Sequence, residues 1–421
     1  MTSYIALAIF IAAYTFFFIL PTWRSVVASV AATLLLLTGC LTGWQAFTAI
    51  NWNVMGIFVG TLMLAEAFIE SRAPAYFAEA IVNKAPNTAW ALLFICMLTS
   101  FLSVFIENVA TVLIVAPIAL TLAKKLNIVP INMMIGIAIC SNLQGTATLI
   151  GDPPSMLLGG YAKMTFVDFF VYKGKPSIFF AVELGAIVSF VVLYFVFFRH
   201  KEKQELVAVE NVKSWLPTGM LVTLIIALAA SSFFDTGFSY AAGVICMVYG
   251  VAALAWHATA NQGSVRATVK GLDWDTTVFL MAIFIIVGSL TEAGWTDALA
   301  KWLAEQVGAN VFVGYTLIVF ISVIVSAFVD NVPFLAAMLP VADKLAREVG
   351  VPPELFMFGL LIGASLGGNV TPVGASANIV ATGLIRKEGH PVSLAHWLRI
   401  SIPFTIAAVV PAYIFIWFVW R

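Results

Sequence analysis

Long apolar runs constrain the fold of this chain more than any other feature. They recur from Tyr4 almost to the last residue, and their length of roughly 17 to 25 residues is that needed to cross the hydrocarbon core of a bilayer. Only 10% of the residues are charged, whereas a soluble domain carries about 25%. The pattern predicts an all-α, polytopic membrane protein without a soluble domain.

The apolar runs form two sets of six. We predict these spans at 3–20, 24–43, 54–70, 88–123, 131–158, 176–198, 215–232, 238–256, 275–292, 310–343, 354–383 and 398–420. The most polar segment, 199–214, separates the sets and is typical of a solvated linker. We therefore predict a first transmembrane repeat over 1–198, a cytoplasmic linker over 199–214 and a second repeat over 215–421.

The two sets share a common register, which indicates an internal duplication. An offset of 222 residues pairs Trp52 with Trp274 and Glu70 with Glu292, so one insertion or deletion separates the front of the unit from its back. The longer matching stretch has an offset of 223 and pairs Glu107-Asn108 with Asp330-Asn331, Pro117 with Pro340, Gly145 with Gly368, Thr148 with Thr371 and Gly151 with Gly374.

The distribution of basic residues predicts the orientation of the chain. If 88–123 and 310–343 are re-entrant hairpins, each half crosses the membrane five times. With the N-terminus outside, 14 basic residues, Arg24 among them, lie on the cytoplasmic side and 7 lie outside. Five is an odd number, so we predict inverted repeats, with both termini outside and a site at their interface. Hairpins that span fully would instead give parallel halves.

Each predicted hairpin contains an acid followed by an amide inside apolar sequence, Glu107-Asn108 and Asp330-Asn331. Polar groups at this depth usually face a cavity or a partner. Asn is a poor residue for a helix interior, and Pro333 removes a backbone donor, so both motifs suit a hairpin tip. The alternative is that acid and amide cap the next helix, which is compatible with an ion site.

Two further segments, 141–155 and 365–378, combine Gly, Pro, Ser, Thr and Asn. These residues favour an unwound helix, and unwound backbone at membrane depth is tolerated where it is buried or lines a cavity. A simple kink is the alternative. Asp152 has Ala375 at the matching place, and this asymmetry indicates a proton or cation carrier on one side only.

Three other acids lie in the apolar sequence. We predict Glu66 and Glu70 to be interfacial, and Glu183 to have a buried structural partner or, as the alternative, a role in coupling. Trp256 and His257 are typical of the interfacial aromatic belt.

The sequence also argues against several classes of function. No motif for nucleotide binding, hydrolysis or metalloprotease chemistry occurs, so we predict that the protein is not an enzyme. The 21 basic residues balance the 21 acidic ones, which argues against a nucleic-acid partner. We predict no metal site, no disulfide and no cofactor beyond a coupling ion, H⁺ or Na⁺, because no Cys or His has ligand spacing. The four cysteines are Cys40, Cys96, Cys140 and Cys246.

The motifs resemble those of a known family. The segments 107–117 and 145–155, with 369–380 after Val329-Asp-Asn-Val-Pro-Phe334, are similar to the arsenite permease and P-protein branch of the ion transporter superfamily, whose members share a citrate-transporter-like domain. The resemblance implies two inverted five-helix repeats with two re-entrant hairpins, often in a homodimer. It also implies a substrate or ion site formed by Asn108, Thr111, Asn142, Gly145, Thr146, Thr148, Asn331, Gly368, Asn369, Thr371 and Asn378.

This sequence departs from the dicarboxylate branch, which has Ser-Asn-Thr at both tips. Here the tips have Glu-Asn-Val and Asp-Asn-Val, and fixed acids disfavour an anion unless cations offset them. Our leading prediction is a proton-coupled exporter of arsenite or antimonite in the cell inner membrane. The alternatives are a Na⁺/H⁺ antiporter, a cation-coupled symporter of carboxylate or inorganic anions, and a channel. The predicted coupling residues are Asp330, Asp152 and Glu107. Asp330 is the first choice and Asp152 the second.

Overall fold

The computed structural model describes residues 2–125, 128–200, 211–259, 264–308 and 310–421. Within these ranges the chain forms twenty α-helices and one short two-stranded hairpin. Most of the predicted linker, residues 201–210, lies outside the described residues.

The first ten helices precede the linker. They are α1 (Thr2–Ile19), α2 (Arg24–Leu37), α3 (Gly43–Ala49), α4 (Trp52–Glu70), α5 (Ala73–Val82), α6 (Thr88–Ser103), α7 (Asn108–Lys125), α8 (Ile131–Gly145), α9 (Pro153–Ala162) and α10 (Ile178–Phe197). The antiparallel strands β1 (Val171–Tyr172) and β2 (Lys175–Pro176) connect α9 to α10.

The second ten helices follow the linker. They are α11 (Leu216–Ser231), α12 (Ala241–Thr259), α13 (Val265–Gly271), α14 (Trp274–Glu292), α15 (Trp295–Val307), α16 (Val311–Ser326), α17 (Asn331–Val349), α18 (Pro353–Gly367), α19 (Ser376–Lys387) and α20 (Leu394–Trp420).

The helical composition confirms the predicted fold class. Among the described residues, seven helices are long and apolar enough to cross a membrane, and these are α1, α4, α7, α10, α12, α14 and α20. Each predicted hairpin is a pair of helices joined by a short turn, α6–α7 and α16–α17. The helices α3, α5, α13 and α15 were not predicted, because elements of 7 to 13 residues are too short to appear as an apolar run.

The same hydrogen bonds recur in both halves, as a duplicated unit requires. The hydroxyl of Thr148 donates to the carbonyl of Val104, and that of Thr371 donates to the carbonyl of Ala327, 223 residues further on. Likewise, Ser103 donates to the carbonyl of Ser141 at 2.7 Å, and Ser326 donates to the carbonyl of Ala364. The matching register of the sequence therefore corresponds to matching backbone geometry.

Each half contributes a long helix that packs closely against the other half. The main contacts are between α4 and α12, between α10 and α20, and between α2 and α14. A side chain at Gly56 would lie 3.0 Å from the backbone of Gly243, and one at Gly60 would collide with the backbone of Cys246. Small residues of this kind allow helices to approach closely in a membrane.

The counterpart helices α10 and α20 run antiparallel. Lys175, just before α10, donates to the carbonyl of Val419 at 3.0 Å, and the indole of Trp420 donates to the carbonyl of Pro176 at 3.2 Å. The beginning of one helix therefore lies beside the end of the other.

Candidate functional site

The turn between α6 and α7 forms the first tip, which carries Glu107 and Asn108. Glu107 is buried, and its Oε2 accepts a hydrogen bond from the backbone N–H of Ala110 at 2.9 Å. The carboxylate thus caps α7, as the capping alternative predicted. Asn108 donates from Nδ2 to Oδ1 of Asn142 at 3.2 Å, which joins the tip to α8.

Residues 146–152 interrupt the helical path between α8 and α9 and form the first break. Asp152 is fully buried, and its Oδ1 accepts from the backbone N–H of Ser155 at 2.9 Å. Its Oδ2 accepts from the hydroxyl of Thr146 at 3.3 Å. Asp152 therefore caps α9 and also ties the beginning of the break to its end.

The turn between α16 and α17 forms the second tip, with Asp330 and Asn331. The two carboxylate oxygens of Asp330 have different partners. Oδ1 accepts from the backbone N–H of Val332 at 3.0 Å and caps α17, whereas Oδ2 accepts from the guanidinium of Arg24. The second tip thus has a cationic partner from the first repeat.

Residues 368–375 form the second break, between α18 and α19. Ala375 stands at the cap position and offers no side-chain oxygen. Instead, Asn378 donates from Nδ2 to the carbonyls of Gly368 and Thr371, both at 2.9 Å. The two breaks therefore have the same backbone path but different polar chemistry, an acid in the first and an amide in the second.

The last turn of α8 meets the second break at Asn142 and Asn369. Asn142 donates from Nδ2 to Oδ1 of Asn369 and to the carbonyl of Ser365, both at 2.9 Å. Three buried polar atoms beside this contact have no hydrogen-bond partner among the described residues: Nδ2 of Asn369, Oδ1 of Asn378 and Oγ of Ser365. Buried polar groups are rarely left unpaired, so a water molecule or a polar solute is needed to complete their hydrogen bonding.

The predicted site residues have two kinds of contact in the structure: some bond to one another through their side chains, and others support the backbone of the tips and breaks. Asn108, Asn142 and Asn369 form one connected amide chain. No described hydrogen bond joins Asn331, at the second tip, to that chain. The remaining predicted residues support the backbone: Gly145 and Gly368 stand where helices end, and the hydroxyls of Thr111, Thr146, Thr148 and Thr371 donate to backbone carbonyls.

Arg24 is the functional candidate that the sequence analysis missed. The distribution of basic residues predicts that Arg24 lies in a cytoplasmic loop, but its side chain is only 14% exposed. Besides Asp330, its guanidinium donates to Ser376 at 2.8 Å and to Thr276 at 3.0 Å, and Nε lies 3.7 Å from Asp275. The signal in the sequence was Asp-Trp-Asp at 273–275, an acid pair that begins an apolar helix.

Two cavities lie along α14 and α17. The first has a volume of about 460 Å³ and is lined at its polar end by Arg24, Asp273, Asp275 and Asp330. The second has a volume of about 410 Å³ and lies further along both helices, where Glu292 and Pro340 line it. The second tip therefore lines the first cavity, whereas the second cavity lies beside the middle of α17.

The model of the family described as "Citrate transporter" matches residues 14–351 and, in a second match, residues 243–421. The chain belongs to this family. Members of the citrate transporter family belong to the ion transporter superfamily, so the resemblance inferred from the motifs is confirmed. The protein is a multi-pass membrane transporter of this type, and the lipid bilayer is its environment.

Sequence alignments with relatives of this citrate transporter family member cover most or nearly all of the chain. The uncharacterized transporter Rv2684 of Mycobacterium tuberculosis is 27% identical over 99% of this chain and 98% of its own. The P protein of mouse is 24% identical over 84% of this chain and 52% of its own. These names are consistent with the prediction that the protein is not an enzyme.

A solved structure shares the fold of the transporter. The YdaH transporter of Alcanivorax borkumensis superposes with a TM-score of 0.61 over 91% of this chain and 87% of its own, at 12% sequence identity. At that identity the likeness concerns the fold alone.

The remaining acids of the transporter lie outside the two breaks. Glu70 contacts Nδ1 of His257, whose side chain is 7% exposed and lies buried between α4 and α12. Glu183 lines a cavity with Gln144, whose Oε1 is buried and has no partner among the described residues.

Proposed function

We propose that this transporter is a secondary active carrier that exports small oxygen-bearing metalloid species such as arsenite or antimonite in exchange for protons. The observation that carries the proposal is the contact between Asn142 and Asn369, with unpaired amide and hydroxyl atoms beside it. A neutral set of donors and acceptors suits a small solute that bears hydroxyl groups. A bare anion would be disfavoured by the fixed acids near the site.

The coupling step is assigned to the buried acids. Asp330, Asp152 and Glu107 are all buried or nearly so and lie at the tips and the first break. A carboxylate in a low-dielectric region is costly, so it holds a proton or pairs with a cation. Asp330 is the first choice because it lines an open cavity, and Asp152 is second because the second repeat has no acid at that place.

The proposed cycle requires inverted repeats in the cell inner membrane, with both termini outside. The antiparallel packing of α10 against α20 supports this arrangement, because counterpart helices of inverted repeats run in opposite directions. The prediction that the carrier forms homodimers belongs to the same proposal.

Na⁺/H⁺ exchange is the second candidate. It is favoured by the first cavity, where three carboxylates, Asp273, Asp275 and Asp330, face one guanidinium. Hard cations such as Na⁺ prefer oxygen ligands of this kind. Both candidates assign Asp330 to the cation, and they differ in the solute that crosses.

Purified protein in liposomes distinguishes the candidates. An imposed pH gradient, acidic inside, should drive uptake of labelled arsenite or antimonite by the wild type above that of protein-free liposomes. Na⁺ uptake under the same gradient would select the second candidate. Asp330→Asn should retain solute exchange but lose the response to the gradient. If neither solute moves, or if current flows without exchange, the carrier proposal is wrong.

A further inference from the structure

We propose that Arg24 is a coupling residue: an internal cation that pairs with Asp330 while the carrier lacks the coupling ion and releases it when that ion binds. The inference rests on the proposed function, because it assigns a partner to the same acid. Arg24 begins α2 of the first repeat, and Asp330 is at the second tip, 306 residues away.

The pair is placed where a charge must be compensated. The exposed fractions of the Arg24 and Asp330 side chains are 14% and 17%. The guanidinium also lies over the ring of Phe279, with 5.1 Å between its carbon and the ring centroid. Because a buried charge without a partner is strongly unfavourable, neither group is stable at this place without a counter-charge.

A second acid allows the guanidinium to change partners. Nε of Arg24 already lies 3.7 Å from Oδ2 of Asp275, whose side chain is 53% exposed. The other oxygen of Asp275 accepts from the hydroxyl of Ser25, so the acid is held in place. A small rotation of the guanidinium toward Asp275 would free Oδ2 of Asp330 and leave Arg24 paired.

The other charged groups near Arg24 do not compensate it in the same way. Asp273, just before α14, accepts from the backbone N–H and the hydroxyl of Thr276 at 2.9 and 2.6 Å, so its oxygens cap the helix. Glu107 at the first tip caps α7. Asp330 is thus the carboxylate near Arg24 that is on a hairpin tip and also faces the cavity.

The cavity provides a route for the competing ion. Its volume of about 460 Å³ exceeds that of several water molecules, each about 30 Å³ in the liquid. Its lining includes Val109 beside the first tip and Ser376 at the end of the second break. An ion that enters here reaches Asp330 directly, and Ser376, which accepts from Arg24, links the exchange of partners to the second break.

The first repeat lacks the same device. The position that matches Asp275, 222 residues earlier, is Asn53. Asn53 donates to the carbonyl of Phe238 at 3.1 Å and accepts from the backbone N–H of Gly243 at 2.6 Å. A neutral amide, Asn53, therefore joins the two repeats at this place. The matching carboxylate, Asp275, which lies beside Arg24, is found in the second repeat alone.

Solute-for-solute exchange and net uptake depend on Arg24 to different degrees. In the proposed exchange the carrier crosses once with solute and returns with the coupling ion on Asp330. During the solute-bearing step Asp330 lacks the ion, and Arg24 compensates it. Without Arg24 the acid keeps its cation in both directions, so solute-for-solute exchange continues but is no longer driven by the ion gradient. Arg24→Gln should therefore retain exchange of labelled arsenite or Na⁺, whichever the wild type carries, and lose net uptake by about tenfold or more.

Matched variants distinguish this role from a structural one. Arg24→Lys keeps the charge and should restore part of the net uptake. Arg24→Gln combined with Asp330→Asn removes both charges, so net movement of solute should return without its response to a pH gradient. Arg266→Gln, an exposed cation of α13, is the control and should resemble the wild type. Equal loss of exchange and net uptake in folded Arg24→Gln, or no change in either, would overturn the proposal.

A measurement without transport keeps the test independent of the proposed solute. Thermal unfolding of the detergent-purified protein is followed while acid or Na⁺ is added, with choline as the ionic-strength control. Arg24→Gln should be stabilised at a cation concentration about tenfold lower than the wild type, because the competing guanidinium is gone. If its response equals that of Arg266→Gln, the proposal is wrong even where transport of arsenite or Na⁺ is absent.

Discussion

Asn142 and Asn369, one from each half of the chain, are joined by a hydrogen bond of 2.9 Å between the last turn of α8 and the second break. The residue that matches Asn142 in the second repeat is Ser365, and Asn142 also donates to its carbonyl. The centre of the molecule is thus close to symmetric in backbone but not in side chains. The two halves of the chain therefore present different polar groups to this central contact.

The central contact predicts a large effect of Asn142→Ala. The change removes donors to Asn369 and to the carbonyl of Ser365, and the acceptor of Asn108. Buried groups that lose their partners cost about 1–3 kcal/mol each, so we expect lower thermal stability and loss of solute exchange. Asn132→Ala, a half-buried amide at the other end of α8 that contacts His396, is the control. Normal exchange by Asn142→Ala would contradict the assignment of the site.

Close packing of the breaks predicts a second effect, at Gly374. A side chain there would lie 2.6 Å from the carbonyl oxygen of Gly368 and 2.8 Å from that of Ser326, which is closer than real contacts allow. Gly374→Ala, and likewise Gly151→Ala in the first repeat, should therefore displace the break and abolish transport. Gly383→Ala in α19 meets no atom within 4 Å and should transport normally. Transport assays with matched surface expression check this, and an active Gly374→Ala would refute it.

The sequence predicts the hairpins and breaks well because their signals are local. Gly, Pro and Thr in 145–155 and 369–378 weaken helices wherever the segment lies in the fold, and the duplication repeats that signal. The matching hydrogen bonds of Thr148 and Thr371 correspond to this register.

The pairing of Arg24 with Asp330 could not be predicted in the same way. The two residues are 306 positions apart, and the contact depends on how α2 packs against α14. An arginine that follows the first apolar run is equally typical of a cytoplasmic loop. The burial of His257 against Glu70 is a similar case, because it depends on the packing of α4 against α12.

The threonines of the breaks should contribute mainly to stability. The hydroxyls of Thr148 and Thr371 donate to the carbonyls at the ends of α6 and α16, Val104 and Ala327. Replacing either by Val keeps the shape but removes the hydrogen bond, which should lower the free energy of unfolding by about 1 kcal/mol. The apparent affinity for solute should change little. Thr121→Val, on an exposed part of α7, is the control, and a selective loss of solute affinity would instead place the hydroxyls in the binding site.

The cap at Asp152 predicts a difference between two substitutions. Asn accepts from the backbone N–H of Ser155 as Asp does, so Asp152→Asn should keep the thermal stability of the wild type. Asp152→Ala loses the cap and should be destabilised by about 1 kcal/mol. Thermal unfolding of the purified variants checks this. Equal destabilisation by both changes would mean that the charge of Asp152 holds the break together.

The last prediction concerns the orientation of the two hairpins. If the repeats are inverted, the ends of α7 and α17 that lie away from the tips are on opposite sides of the membrane. Cysteine introduced at Thr121 should react with an impermeant reagent from the cytoplasm, and cysteine at Glu348 should react from outside. Both positions are exposed, unlike Asn108 and Asn331 at the tips.

This experiment requires a chain without native thiols, because Cys40 is half-buried and free, whereas the other three cysteines are buried. Cysteines at Arg266 and Thr48, which the predicted topology places inside and outside, calibrate the two directions of labelling. Reaction of Thr121 and Glu348 from the same side, with both calibration sites behaving as expected, would replace the inverted arrangement by parallel repeats. The antiparallel contact between Lys175 and Val419 would then need another explanation, since it places the beginning of α10 beside the end of its counterpart α20.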